Sequence, residues 1–282
     1  MILTAEILSQ KYQVNTDFSW SLAIPLAFNQ AQPNHFDAPI AQATPMKAGG
    51  FTGDTEQGGS CNVNELSFNP HCNGTHTETI AHICDASAEL SLKVADITLP
   101  AIMPCTLISI TPESAQQSNE QYTPEFMAND AIISKRALES ALSNVVDEHL
   151  QALVIRTLPN SIAKCSATYS QAHQPAFFSR DAIYYLNERG VEHLLVDIPS
   201  IDRLHDDGLL TCHHLFWQVA EGTHQASANS LSRKTITEMA YIDENIEDGL
   251  YFLNLQMPAF INDAAPSKPV LYSATPLYEY ID

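Results

Sequence analysis

The residues of this chain best suited to chemistry are crowded into Asn69–Cys84, NPHCNGTHTETIAHIC, which holds His71, Cys72, His76, Glu78 and His82. If residues 76–82 are extended, the two-residue period of a strand puts His76, Glu78 and His82 on one face and Thr77 and Thr79 on the other. Two imidazoles and a carboxylate would then converge, a donor set that suits Zn²⁺ or a similar divalent ion. Gly74 permits a tight backbone turn that could bring either His71 or Cys72 to the same point. The other half of such a site must come from elsewhere. The candidates are His213 and His214, in TCHHLFWQV after the polar turn HDDGL, and Glu238 in KTITEMAYI. Taken singly, His213 is as readily a satisfied core histidine, and Glu238 a solvated helix residue.

The elements that would position these groups show in the apolar patterning. SKRALESALSNVVDEHL opens on Ser134, carries apolar residues at helical spacing and runs into the β-branched stretch QALVIRTLP. The pattern repeats in SRDAIYYLNERGVEHLLVDIPSID, with Ser179 as a cap, an amphipathic helix ending near Gly190, and a nearly continuous apolar strand. Strands of that kind are covered on both faces, so an α/β fold with at least some parallel pairing is expected. Residues 1–70 read as strand-rich and irregular, with AGGFTGDTEQGGS as a loop long enough to line a site. Residues 100–133 contain one apolar strand, TLISI, and otherwise read as a surface excursion. DGLYFLNLQMPAF reads as a further strand, and DAAPSKPVLY as an ordered extended tail, since its apolar residues are too many for a free one. No repeat or low-complexity tract breaks the chain, so one domain over residues 1–282 is expected.

Composition excludes several classes of partner. With 13 Lys and Arg against 33 Asp and Glu, the formal charge is −20, and the basic residues are scattered, which disfavours nucleic acid and anionic membrane surfaces. Charged residues make up 16% and hydrophobic ones 45%, a globular rather than a disordered composition. No stretch approaches the roughly 18 uninterrupted apolar residues of a membrane span, and the first residues lack signal-peptide features, so a cytoplasmic location is expected. Six cysteines without a CxxC pair suit reduced, mostly buried thiols.

The chemistry-bearing blocks resemble the metal-dependent cyclase family that includes the bacterial kynurenine formamidases (arylformamidases). The family signature His-x-Gly-Thr-His-x-Asp-x-Pro-x-His is matched by His71-Cys72-Asn73-Gly74-Thr75-His76-Thr77-Glu78-Thr79-Ile80-Ala81-His82. The later Gly-x-Asp-x-x-Ser-x-Asp block is matched by Val196-Asp197-Ile198-Pro199-Ser200-Ile201-Asp202, followed by His213 and Glu238. Phe51-Thr52-Gly53-Asp54-Thr55 resembles the family's Trp-Pro-Gly-Asp-Thr. The resemblance spans roughly residues 16–272 and implies a swivelling β/β/α, cyclase-like fold built on a mixed sheet.

By this resemblance His71, His76 and Glu78 hold one divalent ion, Glu78 and Glu238 bridge to a second, and His213 completes the second. His82 is then the acid/base histidine, and Phe51 a wall of the substrate pocket. The implied cofactor is one or two divalent ions per subunit, Zn²⁺ first and Mn²⁺ second. The implied assembly is a homodimer or homotetramer. The implied activity is metal-dependent hydrolysis of an amide or formamide by activated water, with N-formylkynurenine of tryptophan catabolism or a related aryl formamide or lactam as substrate. Ser200 supports the site through hydrogen bonds, and Phe216 and Trp217 join Phe51 in an aromatic pocket. A different class, a non-catalytic small-molecule binder with an altered metal site, stands beside it.

Three departures from the family pattern are specific. One extra residue separates the first two histidines, so the spacing back from His76 lands on Cys72. A one-residue bulge at Asn73-Gly74 would restore His71, favoured because imidazole matches a carboxylate-rich site better than a thiolate. Glu78 stands where the family has Asp. Ile80 stands where it has Pro, and the run from Trp217 to Lys234 is longer than usual.

Overall fold

Ten strands hydrogen-bond into one sheet, in the order 2–7, 10–21, 270–277, 249–254, 103–110, 152–157, 193–196, 235–238, 76–78 and 264–266. The structure, a computed structural model, describes residues 1–86 and 89–278; the remainder of the expected 1–282 domain lies outside the described residues. Four central strands, Met103–Ile110, Ala152–Thr157, His193–Val196 and Thr235–Glu238, run parallel, and the flanking strands pair antiparallel. The architecture is mixed α/β, as the two helix-strand units require.

The apolar runs are continuous because both sheet faces are covered. Leu153, Ile155, Leu194 and Val196 enter one core with the helices. Ala152, Val154 and Leu195, one residue out of phase, enter a second core with Leu22, Met103, Leu253 and Leu271. Alternating side chains point to opposite faces, so the consecutive positions 152–155 and 194–196 are all apolar.

Two helices start at the expected caps. Ser134 Oγ accepts from Ala137 N at 3.2 Å to open Lys135–Ala141, and Ser179 Oγ accepts from Ala182 N at 3.0 Å to open Arg180–Glu188. These hydroxyls satisfy amides that have no partner in the first helical turn. The first helix is shorter than its apolar spacing predicts. It stops at Ala141, and Asp147–His149 forms a separate 3-10 turn before the strand.

The excursion expected over 100–133 is only partly on the surface. Ala131–Ile133 joins a small sheet with Glu113–Ser114 and Phe177–Phe178, and Tyr122 and Asp130 are buried. The tail is ordered as expected, with Ala264–Pro266 at one edge of the large sheet and Val270–Leu277 near the other. Among the described residues, no helix is long and apolar enough to cross a membrane.

Candidate metal centre

The strand His76–Glu78 lies between Thr235–Glu238 and Ala264–Pro266, antiparallel to both. Its alternation separates two environments. Thr77 faces one way, where its hydroxyl meets Thr237 Oγ1 at 2.7 Å and Ser267 Oγ at 2.8 Å. His76 and Glu78 face the other way, and Glu238, the cross-strand partner of His76, places Oε2 3.5 Å from His76 Nε2.

The strand ends at Glu78, so the extended reading of 76–82 fails in its second half. His82 reaches the same face through the 3-10 turn Ile80–His82, with its Nε2 3.8 Å from Glu78 Oε2. The extra residue before His76 is absorbed by a helical turn, Pro70–Asn73, rather than by a bulge. Asn69 Oδ1 accepts from His71 N at 3.0 Å, and Asn73 Oδ1 accepts from Asn69 N at 2.8 Å, closing the turn. That turn sends His71 into the cluster, with Nδ1 3.1 Å from Glu78 Oε2, while Cys72 is buried and joins none of the groups of converging ligand atoms.

Glu238 is a buried strand residue, not a solvated helix residue, and its Oε1 accepts from Ile201 N at 2.8 Å. His213 lies on the helix Thr211–Trp217, with Nε2 2.8 Å from Glu78 Oε1 and 3.7 Å from Glu238 Oε1. No side chain of the residue before that helix caps it. The Asp202 carboxylate takes that place, accepting from Cys212 N at 2.7 Å and His213 N at 3.1 Å, and it also accepts from His213 Nδ1 at 2.6 Å. Ser200 Oγ accepts from Asp202 N at 3.1 Å, the supporting role its motif implied.

Two sets of ligand atoms therefore share Glu78: His71, His76 and Glu78 in one, Glu78, His82 and His213 in the other, each within 4.8 Å. The buried atoms His76 Nε2 and Glu78 Oε2 have no hydrogen-bond partner. His76 Nδ1 lies 3.0 Å from the Gly74 carbonyl, to which it donates, which leaves Nε2 as the nitrogen turned toward Glu238. Buried polar atoms left this way cost free energy unless something binds them.

The charge balance points the same way. Burial opposes charge on His71, but the carboxylates of Asp263, hydrogen-bonded to it, and of Glu78, facing it, overcome this and raise its pKa to about 10. Burial likewise opposes charge on His213, yet Glu78 and Asp202 hold its pKa well above the ordinary value. Glu78 stays ionised despite burial because His82 and His213 face it. The carboxylates thus attract protons onto imidazoles, and a field that holds protons there also holds a cation.

Several expectations were not met, and several groups were missed. Phe216 and Trp217 are fully buried in the core beneath His213, and Trp217 Nε1 donates to Lys234 O, so they line no open pocket. Phe51 is half-buried in a hairpin with Lys47–Ala48, and no ring contact or hydrogen bond joins it to the cluster among the described residues. His214 turns away, its Nδ1 near Val219 O. Spacing gave no signal for Asp263, whose Oδ2 lies 2.9 Å from His71 Nε2 and 3.3 Å from His82 Nδ1; the hint was an acid at the head of a tail too apolar to be free. His35 was also missed. It is buried with both ring nitrogens unpartnered, while its backbone N–H donates to Cys72 O.

A family model described as "Putative cyclase" matches residues 8–203. The chain belongs to the cyclase family. Solved structures similar to this cyclase-family chain include a predicted metal-dependent hydrolase from Bacillus stearothermophilus, 16% identical, with a TM-score of 0.56 over 90% of this chain and 98% of that one. A novel cyclase is 14% identical, with a TM-score of 0.60 over 92% and 88%. Isatin hydrolase A from Labrenzia aggregata, solved with benzyl benzoate, is 14% identical, with a TM-score of 0.58 over 90% and 93%. At these identities the likeness is one of fold. No curated protein matches the chain in sequence.

Proposed function

We propose that this cyclase-family protein is a metal-dependent hydrolase that opens the C–N bond of a small aryl amide, either an aryl formamide such as N-formylkynurenine or a lactam such as isatin. The observation that carries this reading is the buried Glu78 carboxylate shared between two imidazole groups, with Glu78 Oε2 and His76 Nε2 left without partners. His71, His76 and Glu78 fit one divalent ion. Glu78, His213 and Glu238 fit a second, with Zn²⁺ the first choice and Mn²⁺ the second for mixed nitrogen and carboxylate donors. Such an ion, when bound, lowers the pKa of a water and polarises the substrate carbonyl.

The chain's own residues do the rest. His82 is a quarter exposed while Glu78 and His213 are buried, which places its imidazole where a substrate can reach it. An imidazole both accepts and donates a proton near neutrality, so His82 takes a proton from water and returns it to the leaving amine through Nε2. Asp202 holds His213 at Nδ1 and so aims Nε2 at Glu78. No protein nucleophile is required. The fold shared with isatin hydrolase supports the lactam end of the substrate range, and the family resemblance supports the formamide end. A homodimer or homotetramer is the assembly we propose.

The test has two parts. Elemental analysis should find stoichiometric Zn²⁺, Mn²⁺ or a similar ion in purified protein, or after incubation with it; absence in both removes the metal. His82→Ala should retain the ion yet lose about 10²–10⁴-fold in hydrolysis of whichever formamide or lactam the wild type accepts. Unchanged turnover removes His82 from the mechanism.

A further inference from the structure

Asp263 is placed by the sheet and not by its neighbours in sequence. Ala264 pairs with Glu78 across the edge strands, and the Asp263 carbonyl accepts from Thr79 N at 3.0 Å and from Thr79 Oγ1 at 3.2 Å. That register holds the Asp263 side chain over the stacked rings of His71 and His82, whose centroids are 4.4 Å apart. One oxygen, Oδ2, then lies 2.9 Å from His71 Nε2 and 3.3 Å from His82 Nδ1. The opposite nitrogens, His71 Nδ1 and His82 Nε2, lie 3.1 and 3.8 Å from Glu78 Oε2.

An ionised carboxylate only accepts, so each nitrogen facing Asp263 carries a hydrogen. A protonated oxygen could donate to only one of the two rings, whereas an ionised Oδ2 can accept from both at the observed distances. A neutral imidazole with a hydrogen on one nitrogen has its lone pair on the other. Building on the metal-dependent hydrolase reading above, we propose that Asp263 is a positioning residue that sets both tautomers, leaving His71 Nδ1 as the metal-facing donor and His82 Nε2 as the free proton acceptor. A carboxylate behind a ligating histidine is a recurrent way to orient the ring and raise its basicity. Here one carboxylate serves the ligand and the acid/base group together, which ties their geometry to the edge strand at the end of the chain. Because both contacts fall on Oδ2, an Asn could present its one oxygen to both rings, so the variant that removes the acceptor is Asp263→Ala.

The decisive measurement is long-range proton–nitrogen NMR on protein labelled with nitrogen-15 histidine at mildly alkaline pH, without metal and after titration with Zn²⁺. Wild type should show His82 as the Nδ1–H tautomer in both states and His71 ligated through Nδ1. In Asp263→Ala, which removes the shared acceptor, His82 should move toward the Nε2–H tautomer, Zn²⁺ affinity should fall about 10–100-fold, and kcat should fall about as much while KM holds. Asp263→Glu, which keeps the carboxylate, should recover part of each. Ligation of His71 through Nε2, or wild-type His82 as Nε2–H, overturns the proposal, as do tautomers unchanged in Asp263→Ala. The wild-type spectra decide even if Asp263→Ala fails to fold. If the wild type binds no Zn²⁺ and hydrolyses nothing, the hydrolase reading fails, while the tautomer of His82 in metal-free protein still judges Asp263.

Discussion

Replacing Asp202 with Asn isolates the carboxylate that caps the helix of His213 and orients its ring toward Glu78. Asp202 is buried and accepts hydrogen bonds from Tyr122 Oη at 2.7 Å, Cys212 N at 2.7 Å, His213 N at 3.1 Å and His213 Nδ1 at 2.6 Å. Asn matches its shape, so no cavity opens. Its single oxygen can replace Oδ1, which serves Tyr122 and Cys212, but its amide then meets the two N–H groups of His213, donor against donor. Flipping the amide exchanges which pair is lost. Each lost charge-assisted bond contributes about 1.5–3 kcal/mol, and breaking a buried ion pair by removing one partner costs about 3–5 kcal/mol. The second figure already includes the first, so the expected loss is about 3–5 kcal/mol. In urea denaturation with chelator present, at slopes of about 1–3 kcal/mol per M, the midpoint should fall by about 1 M or more. Tyr122→Phe, which deletes one of the four bonds and the acceptor of Arg203 N, should cost less, about 1.5–3 kcal/mol. A loss below about 1 kcal/mol in Asp202→Asn would refute the idea that this carboxylate locks the helix to the site.

Two further outcomes follow from other parts of the fold. Burial holds the His193 pKa down to about 4, with Thr235 Oγ1 2.9 Å from its Nδ1. The unfolded chain takes up that proton near pH 6.5 and the folded one does not, so the contribution is whole above about 6.5 and is lost as pH falls to about 4, roughly 3 kcal/mol in total. Stability measured across this window should drop, and His193→Gln should flatten the slope; an unchanged slope removes His193 as its source. Gly53→Ala would bring Cβ to 2.3 Å from the Val63 carbonyl oxygen, whereas a Cβ at Gly50 meets nothing within 4 Å. Thermal or urea unfolding should show a loss of about 1–3 kcal/mol for Gly53→Ala and within about 0.5 kcal/mol for Gly50→Ala; equal effects would contradict the packed form of this loop.

Features that depend on near neighbours are legible in the amino-acid sequence. Ser134 and Ser179 announce helix starts because a cap is a contact over three residues. His76 and Glu78 share a face because alternation is intrinsic to a strand, and Thr77 faces the other way for the same reason. Where that local rule is extended to His82 it fails, because the strand gives way to a 3-10 turn after Glu78. Phe216 and Trp217 mislead because an aromatic beside a candidate ligand looks the same in sequence whether it lines a pocket or fills the core.

The sequence by itself determined the donor types, their concentration between His71 and His82, and the parallel α/β character written in doubly apolar strands. Only the tertiary structure decided that His71 rather than Cys72 joins the cluster, that Glu238 lies on a strand opposite His76, and that Asp263 arrives from 192 residues away to meet His71. The physical reason is range. Caps, turns and side-chain alternation are set within a few residues, whereas the register that seats His76–Glu78 between two distant strands is chosen by the sheet and its cores as a whole.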